Sequence, residues 1–153
     1  EPARDLIELE PRAGEHCLRT EDILAAIERE GSRVATILLP GVQYLTGQRL
    51  DVRAITAAGR RAGCTVGWDL AHAIGNVPLT LHDDEVDFAV WCHYKYVNAG
   101  PGAPAGMFVH ARHCRDRSGF RLAGAIPPMT WARQLRLVRA QVGVYPRRHP
   151  AQS

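Results

Sequence analysis

Apolar and β-branched positions gather in three short continuous runs, Val34 to Leu39, Cys64 to Trp68 and Val86 to Cys92. Runs of that length without polar alternation predict strands buried on both faces, the habit of parallel sheets. The first stops at Pro40-Gly41. Between the runs, apolar positions recur at helical spacing. Ile23, Ala26 and Ile27 follow Thr20, Glu21 and Asp22 and lead to Gly31, which predicts a helix with Thr20 as N-cap and Gly31 past its end. Val52, Ile55, Ala58 and Ala62 follow Asp51 and end at Gly63, a second helix capped by the aspartate. Strand, crossover helix and strand make a βαβ unit, expected to be right-handed, and place the chain in the α/β class. After the third run, Gly100-Pro101-Gly102-Ala103-Pro104-Ala105-Gly106 predicts a tight turn into a hairpin that returns through Met107-Phe108-Val109. The glycines lack both the GKS/T ending of a phosphate loop and the spacing of a dinucleotide fingerprint. Further on, Trp131, Leu135, Val138 and Val142 would share one side of an amphipathic helix over Thr130 to Val142.

Two of the runs end in residues that can do chemistry. The second delivers Asp69 and the third is followed by Lys95, so if both strands lie in one parallel sheet the two side chains emerge on the same rim. Ligands of open α/β sheets collect at such carboxyl edges. Lys95 is the only lysine beside eighteen arginines. Lysine, unlike arginine, can lose its proton when desolvated and attack a carbonyl, which makes Lys95 a candidate Schiff-base residue. A lysine snorkelling from a strand end and an aspartate serving as a turn or cap acid are the plain alternatives. Together, an amine and a carboxylate on one rim are the pair that pyridoxal phosphate requires: one to bind its aldehyde, the other to keep its ring nitrogen protonated.

At 153 residues, 46% hydrophobic and 23% charged, the chain has the composition of one globular domain with a real core. It contains no run of about eighteen apolar residues and no secretory signal at its acidic start, which predicts a cytoplasmic protein without a membrane partner. Cys17, Cys64, Cys92 and Cys114 are widely spaced and form no CxxC pair, so no metal site is predicted even with His110 and His113 beside Cys114. Net charge is uneven: residues 1–113 carry 11 basic and 15 acidic side chains, residues 114–153 eight arginines and one acid, Asp116. Without interleaved aromatics or an RNA-binding signature, the basic tail does not predict a nucleic-acid partner.

Three motifs carry a family resemblance. Leu39-Pro40-Gly41-Val42-Gln43-Tyr44-Leu45-Thr46-Gly47-Gln48, the DLAHAIGN of Asp69 to Asn76 and the WCHYKYVNAGPGAPAG of Trp91 to Gly106 resemble kynureninase, from about residue 5 to about residue 113. The resemblance implies the large domain of the pyridoxal-phosphate-dependent transferase fold, a mainly parallel sheet flanked by helices. It implies hydrolysis of L-kynurenine, or its 3-hydroxy form, to anthranilate or 3-hydroxyanthranilate and L-alanine, within tryptophan catabolism and NAD biosynthesis, by a homodimer. Carried onto this sequence, it makes Lys95 the catalytic lysine that binds the cofactor aldehyde, Asp69 the partner of the pyridinium nitrogen, Tyr94 a phosphate ligand and His72 a cofactor contact.

Residues 1–113 thus read as the central part of a pyridoxal-phosphate-binding domain and 114–153 as an Arg/Pro-rich tail, altered or disordered, outside the family pattern. The family's phosphate-cupping loop and stacking aromatic would precede Glu1. Arg121-Leu122-Ala123-Gly124 resembles the next family block, but Ala125 stands where a tryptophan is expected. The isolated chain is therefore expected to be inactive. A cysteine desulfurase-like lyase, with Cys114 as its loop cysteine, and a non-catalytic dimerisation or interaction remnant are the alternatives.

Overall fold

Three continuous apolar runs leave no polar face for solvent, and they bury one another by lying side by side. The structure, a computed structural model, describes residues 6–115. Strands β1 (Thr36–Pro40), β2 (Thr65–Asp69) and β3 (Phe88–Cys92) run parallel in the order β1-β2-β3, and β4 (Ala105–Val109) returns antiparallel to β3 at the edge. Helices α1 (Thr20–Glu30), α2 (Val52–Arg61) and α3 (Ala111–Arg115) complete the order α1-β1-α2-β2-β3-β4-α3. This is the expected α/β architecture, with the hairpin where the Gly/Pro stretch placed it. None of the described helices is long and apolar enough to cross a membrane.

Local signals were read to within a residue or two. Asp51 caps α2 by accepting the Ala54 N–H at 2.9 Å, a bond worth about 1 kcal/mol. Thr20 is instead the first residue of α1, and Arg19 occupies the cap position without a side-chain bond. Gly31 is right-handed, not the left-handed stop expected, because the chain continues into a 3-10 turn, Gly31–Arg33. That turn delays β1 to Thr36. Residues beyond 115, including the expected helix from Thr130 to Val142, lie outside the described residues.

The core centres on β2, whose Val66 and Trp68 are 0% exposed. Ile23 of α1 and Ile55 of α2 pack with them, together with Leu70, Val86 and Ala89. The buried Trp68 indole donates to the Thr56 hydroxyl at 3.0 Å, so its one polar group keeps a partner. Glycine makes room at three contacts. A Cβ on Gly59 would stand 2.7 Å from Ile37 and Val66, so α2 can lie directly on the sheet. Gly67 faces the Phe88 ring across β2 and β3, and Gly106 faces the Trp91 ring across β3 and β4. Cys17, Cys64 and Cys92 are free thiols, and burial pushes the Cys64 thiol up.

An ionic cluster closes the amino edge of β3. Buried Asp87 accepts the Val66 N–H at 2.7 Å, the Arg112 guanidinium at 2.6 Å and meets the His113 ring nitrogen at 2.6 Å. Arg112 also donates to the Glu85 carbonyl at 2.7 Å, tying α3 to the loop before β3. Burial alone would push Asp87 up, but the Val66 amide, Arg112 and His113 outweigh it and hold the carboxyl below its usual range. Replacing Asp87 strands the Val66 amide and a partly buried guanidinium. We expect Asp87→Ala to lower unfolding free energy by about 3 kcal/mol, read as a shift of the urea midpoint. A depressed folded pKa means that the stabilisation is complete above the unfolded value of about pH 4 and disappears as pH falls through the folded value. The parent chain should therefore lose stability across that acid range, and Asp87→Asn should flatten the loss.

Candidate active site

Parallel pairing of β2 and β3 decides where Asp69 and Lys95 go. Asp69 is the last residue of β2 and pairs with Val90, while Lys95 lies three residues past Cys92, the end of β3. Both therefore emerge at the carboxyl edge, in the loops that follow neighbouring strands. The Asp69 carbonyl accepts the Gly41 N–H at 2.9 Å and the Leu70 N–H donates to the Val90 carbonyl at 2.8 Å, so all three strand ends are tied together there. Asp69 Oδ1 accepts the Ala71 N–H at 2.9 Å, which starts the turn that carries His72. This is the turn-acid bond anticipated as the plain alternative.

His72 feels the charges of both Asp69 and Lys95. Burial pushes its imidazole below the usual histidine range, the Lys95 cation deepens the depression and Asp69 opposes it. Lys95 is half-buried, with Nζ 5.6 Å from the Tyr94 ring centroid, whereas Tyr94 itself is exposed. Asp69, His72, Tyr94 and Lys95 thus share one edge of the sheet.

Two residues singled out by no spacing argument join them. Tyr44, from the loop after β1, lies 6.0 Å from the His72 ring between centroids, and Tyr96 meets it edge-on at 6.4 Å. Their exposure hid them from any burial-based search of the sequence; the loop lengths after β1 and β3 were the available signal. The turn after His72 presses on the same loop as Lys95. Gly75 adopts φ of 74°, and a Cβ there would stand 2.9 Å from the Tyr96 carbonyl oxygen. His110 and His113 fall at the opposite edge, where His110 stacks on His82 at 4.7 Å and His113 joins Asp87. Among the described residues no group of three or more His, Cys, Asp or Glu could hold a metal ion. The side chain of Cys114 is outside the description.

The parallel strands with an antiparallel edge and helices on the sheet match a known fold. The chain superposes on alanine–glyoxylate aminotransferase from Nostoc sp. with a TM-score of 0.57, at 22% identity over 83% of this chain and 33% of that one. The fold is therefore that of the pyridoxal-phosphate-dependent transferases. No protein-family model matches the chain. Sequence relatives are more specific. The chain is 60% identical over 124 residues to a kynureninase of Nematostella vectensis, and 54% identical over 123 residues to one of Flavobacterium johnsoniae. Along those residues, about four fifths of this chain, it is similar to kynureninases. It spans 27% and 29% of those two relatives, with 81% and 80% of its own length.

The contact between Gly75 and Tyr96 can be tested directly. Gly75→Ala forces an L side chain into positive φ and onto a carbonyl oxygen, and should destabilise by about 1 to 3 kcal/mol. Hydrogen exchange should rise in the loop at 93–98 while the amides of β2 stay protected; unchanged stability and exchange would contradict the packing described.

Proposed function

We propose that this segment supplies the cofactor-binding edge of a kynureninase, which hydrolyses L-kynurenine or its 3-hydroxy form to anthranilate or 3-hydroxyanthranilate and L-alanine. One observation carries the reading: a half-buried amine and a carboxylate at adjacent parallel strand ends, in a chain 54 to 60% identical to kynureninases. The site chemistry fits pyridoxal 5′-phosphate. Lys95 offers the amine for the aldehyde, Asp69 the carboxylate for the ring nitrogen, Tyr94 an exposed phenol for the phosphate and His72 an imidazole for a further cofactor contact. When bound, the cofactor supplies an electron sink for the carbon framework of the amino acid.

Lys95 would hold the cofactor through its aldehyde, and its amine is the group at this edge that would carry protons. Asp69 sits at the end of a strand hydrogen-bonded on both sides, so its charge is fixed in place, which is what stabilising a ring cation requires. The overall hydrolysis breaks the bond between the side-chain ketone carbon and its methylene neighbour. Water's hydroxyl ends on the aryl carboxylate and its proton on alanine. The desulfurase alternative has no comparable support, since it rested on Cys114 alone. For the complete protein we place residues 1–113 in the large cofactor-binding domain, as the continuous run of family motifs supports, and propose a cytoplasmic homodimer; a match of 124 residues is longer than that span, so the likeness continues into the start of the 114–153 tail.

Pyridoxal phosphate followed by borohydride should leave a pyridoxyl label on Lys95 in peptide maps. A label confined to the α-amine of Glu1 would sink the assignment. In a chain completed at both ends with family sequence, Lys95→Ala should reduce anthranilate formation from kynurenine by about a thousandfold or more, followed by fluorescence.

A further inference from the structure

Three loops meet at one imidazole. His72 comes from the turn after β2, Tyr44 from the loop after β1 and Tyr96 from the loop after β3. We propose that Tyr44 and Tyr96 are positioning residues that clamp the His72 ring from two sides beside Asp69 and Lys95.

Both tyrosines are about half exposed, 56% and 48%, so neither is held by burial in the core. Each is held instead by the backbone beneath it. The Gln43 side-chain carbonyl accepts the Leu45 N–H at 2.6 Å, the Thr46 N–H at 2.7 Å and the Thr46 hydroxyl at 3.1 Å. Backbone bonds from Gln43 N–H to Gln48 and from Gly47 N–H to Gln43, both 2.8 Å, close the same loop, and Val42 bridges to Arg49 beneath it. Tyr44 sits at the tip of this stapled loop. A carboxamide in the middle of the loop that spends its oxygen on three local donors is a device for fixing its shape. On the other side, the Tyr96 carbonyl nests against Gly75, in the same turn as His72. The Asn98 N–H donates to the Lys95 carbonyl and the Ala99 N–H to the His93 carbonyl, both at 3.0 Å, which folds the Lys95 loop tightly around Tyr96.

The ring contacts have a chemical consequence. Tyr44 lies tilted at 32° to the imidazole and Tyr96 meets it edge-on at 72°, so rings from two different loops adjoin it and take up part of the space that water would otherwise occupy. Water exclusion disfavours the imidazolium, as does the Lys95 cation; Asp69 favours it. A tyrosine face could also attract the imidazolium, an effect of opposite sign. The direction of the change on removing a ring distinguishes them.

That His72 faces a cofactor rests on the function proposed above, but the clamp does not, so it is tested without cofactor. Histidine labelled with ¹³C at Cε1 is titrated by NMR in the 153-residue chain, and the His72 signal among seven histidines is assigned by its loss in His72→Gln. The His72 midpoint should lie below the ordinary value of about 6.5. Tyr44→Ala and Tyr96→Ala should each raise it towards that value, the double variant most. Tyr44→Phe should leave it unchanged, because ring and not hydroxyl makes the contact. Gln43→Ala, which keeps every aromatic residue but releases the loop that holds Tyr44, should raise it as Tyr44→Ala does. Circular dichroism and urea midpoints of these surface variants should stay at the parent's values. Midpoints unmoved or lowered by the alanine variants overturn the clamp, as does a Tyr44→Phe variant behaving like Tyr44→Ala. Borohydride labelling at Lys95 is indifferent to these outcomes, so failure of the clamp and failure of the cofactor assignment are read separately.

Discussion

Everything at the carboxyl edge hangs from the burial of Trp68. Its indole fills the space between sheet and α2, and its N–H is bonded to the equally buried Thr56 hydroxyl. A side chain so large, with its single polar group satisfied, leaves β2 one position along the sheet normal and one register. Asp69 is the next residue, and alternation along a strand turns it to the opposite face from Trp68. Paired to Pro40 on one side and Val90 on the other, it cannot slide without taking β1 and β3 with it. A carboxylate placed this way is held by the core, although it lies at the surface.

The two ends of the sheet are built for different purposes. At the amino edge of β3, Asp87 is buried and consumed by the Val66 amide, Arg112 and His113, and Arg60 pairs with Glu85 nearby. Fixed charges there lock the hairpin and α3 to the parallel strands. At the carboxyl edge, the corresponding groups are an amine, a carboxylate, an imidazole and phenols, half-buried or exposed and carried by turns. Parallel strands make the separation possible, because each returns to its starting edge before the next begins, and loops that follow strands accumulate at one rim.

The placement of Asp69 and Lys95 at one edge could be read from the sequence because it depends on strand ends, and buried parallel strands announce themselves as unbroken apolar runs. Asp69 and Lys95 each follow such a run, so placing the strands placed the residues. Asp87 was harder. An acid inside the run Val86 to Cys92 looks like a break in a strand, and its partners Arg112 and His113 are 25 and 26 residues later. Only the antiparallel return of β4 brings them back. The Thr20 cap failed because a threonine works equally well as a first helical residue when acids follow it, and Gly31 failed because a second, tighter turn consumed it before β1. Tyr44 and Tyr96 fall within the quoted motifs, but their contact with His72 could not be read there, because each acquires its neighbour through loop shape, which no hydrophobic period encodes.

The division of labour between the two cationic residues is the last consequence of this architecture. Arginine holds Asp22, Asp84 and Asp87, through Arg12, Arg53 and Arg112. Its guanidinium suits these positions, since it grips a carboxylate at two points and stays charged at any physiological pH. Those same properties disqualify it as a nucleophile. Under the function proposed above, a cofactor aldehyde would call for an amine and not a guanidinium. Eighteen arginines stand in this sequence beside one lysine, and that lysine follows the end of β3 where β2 and β3 end side by side. Chemical uniqueness at Lys95 is therefore a property of the whole composition, whereas its placement is a property of two adjacent strands.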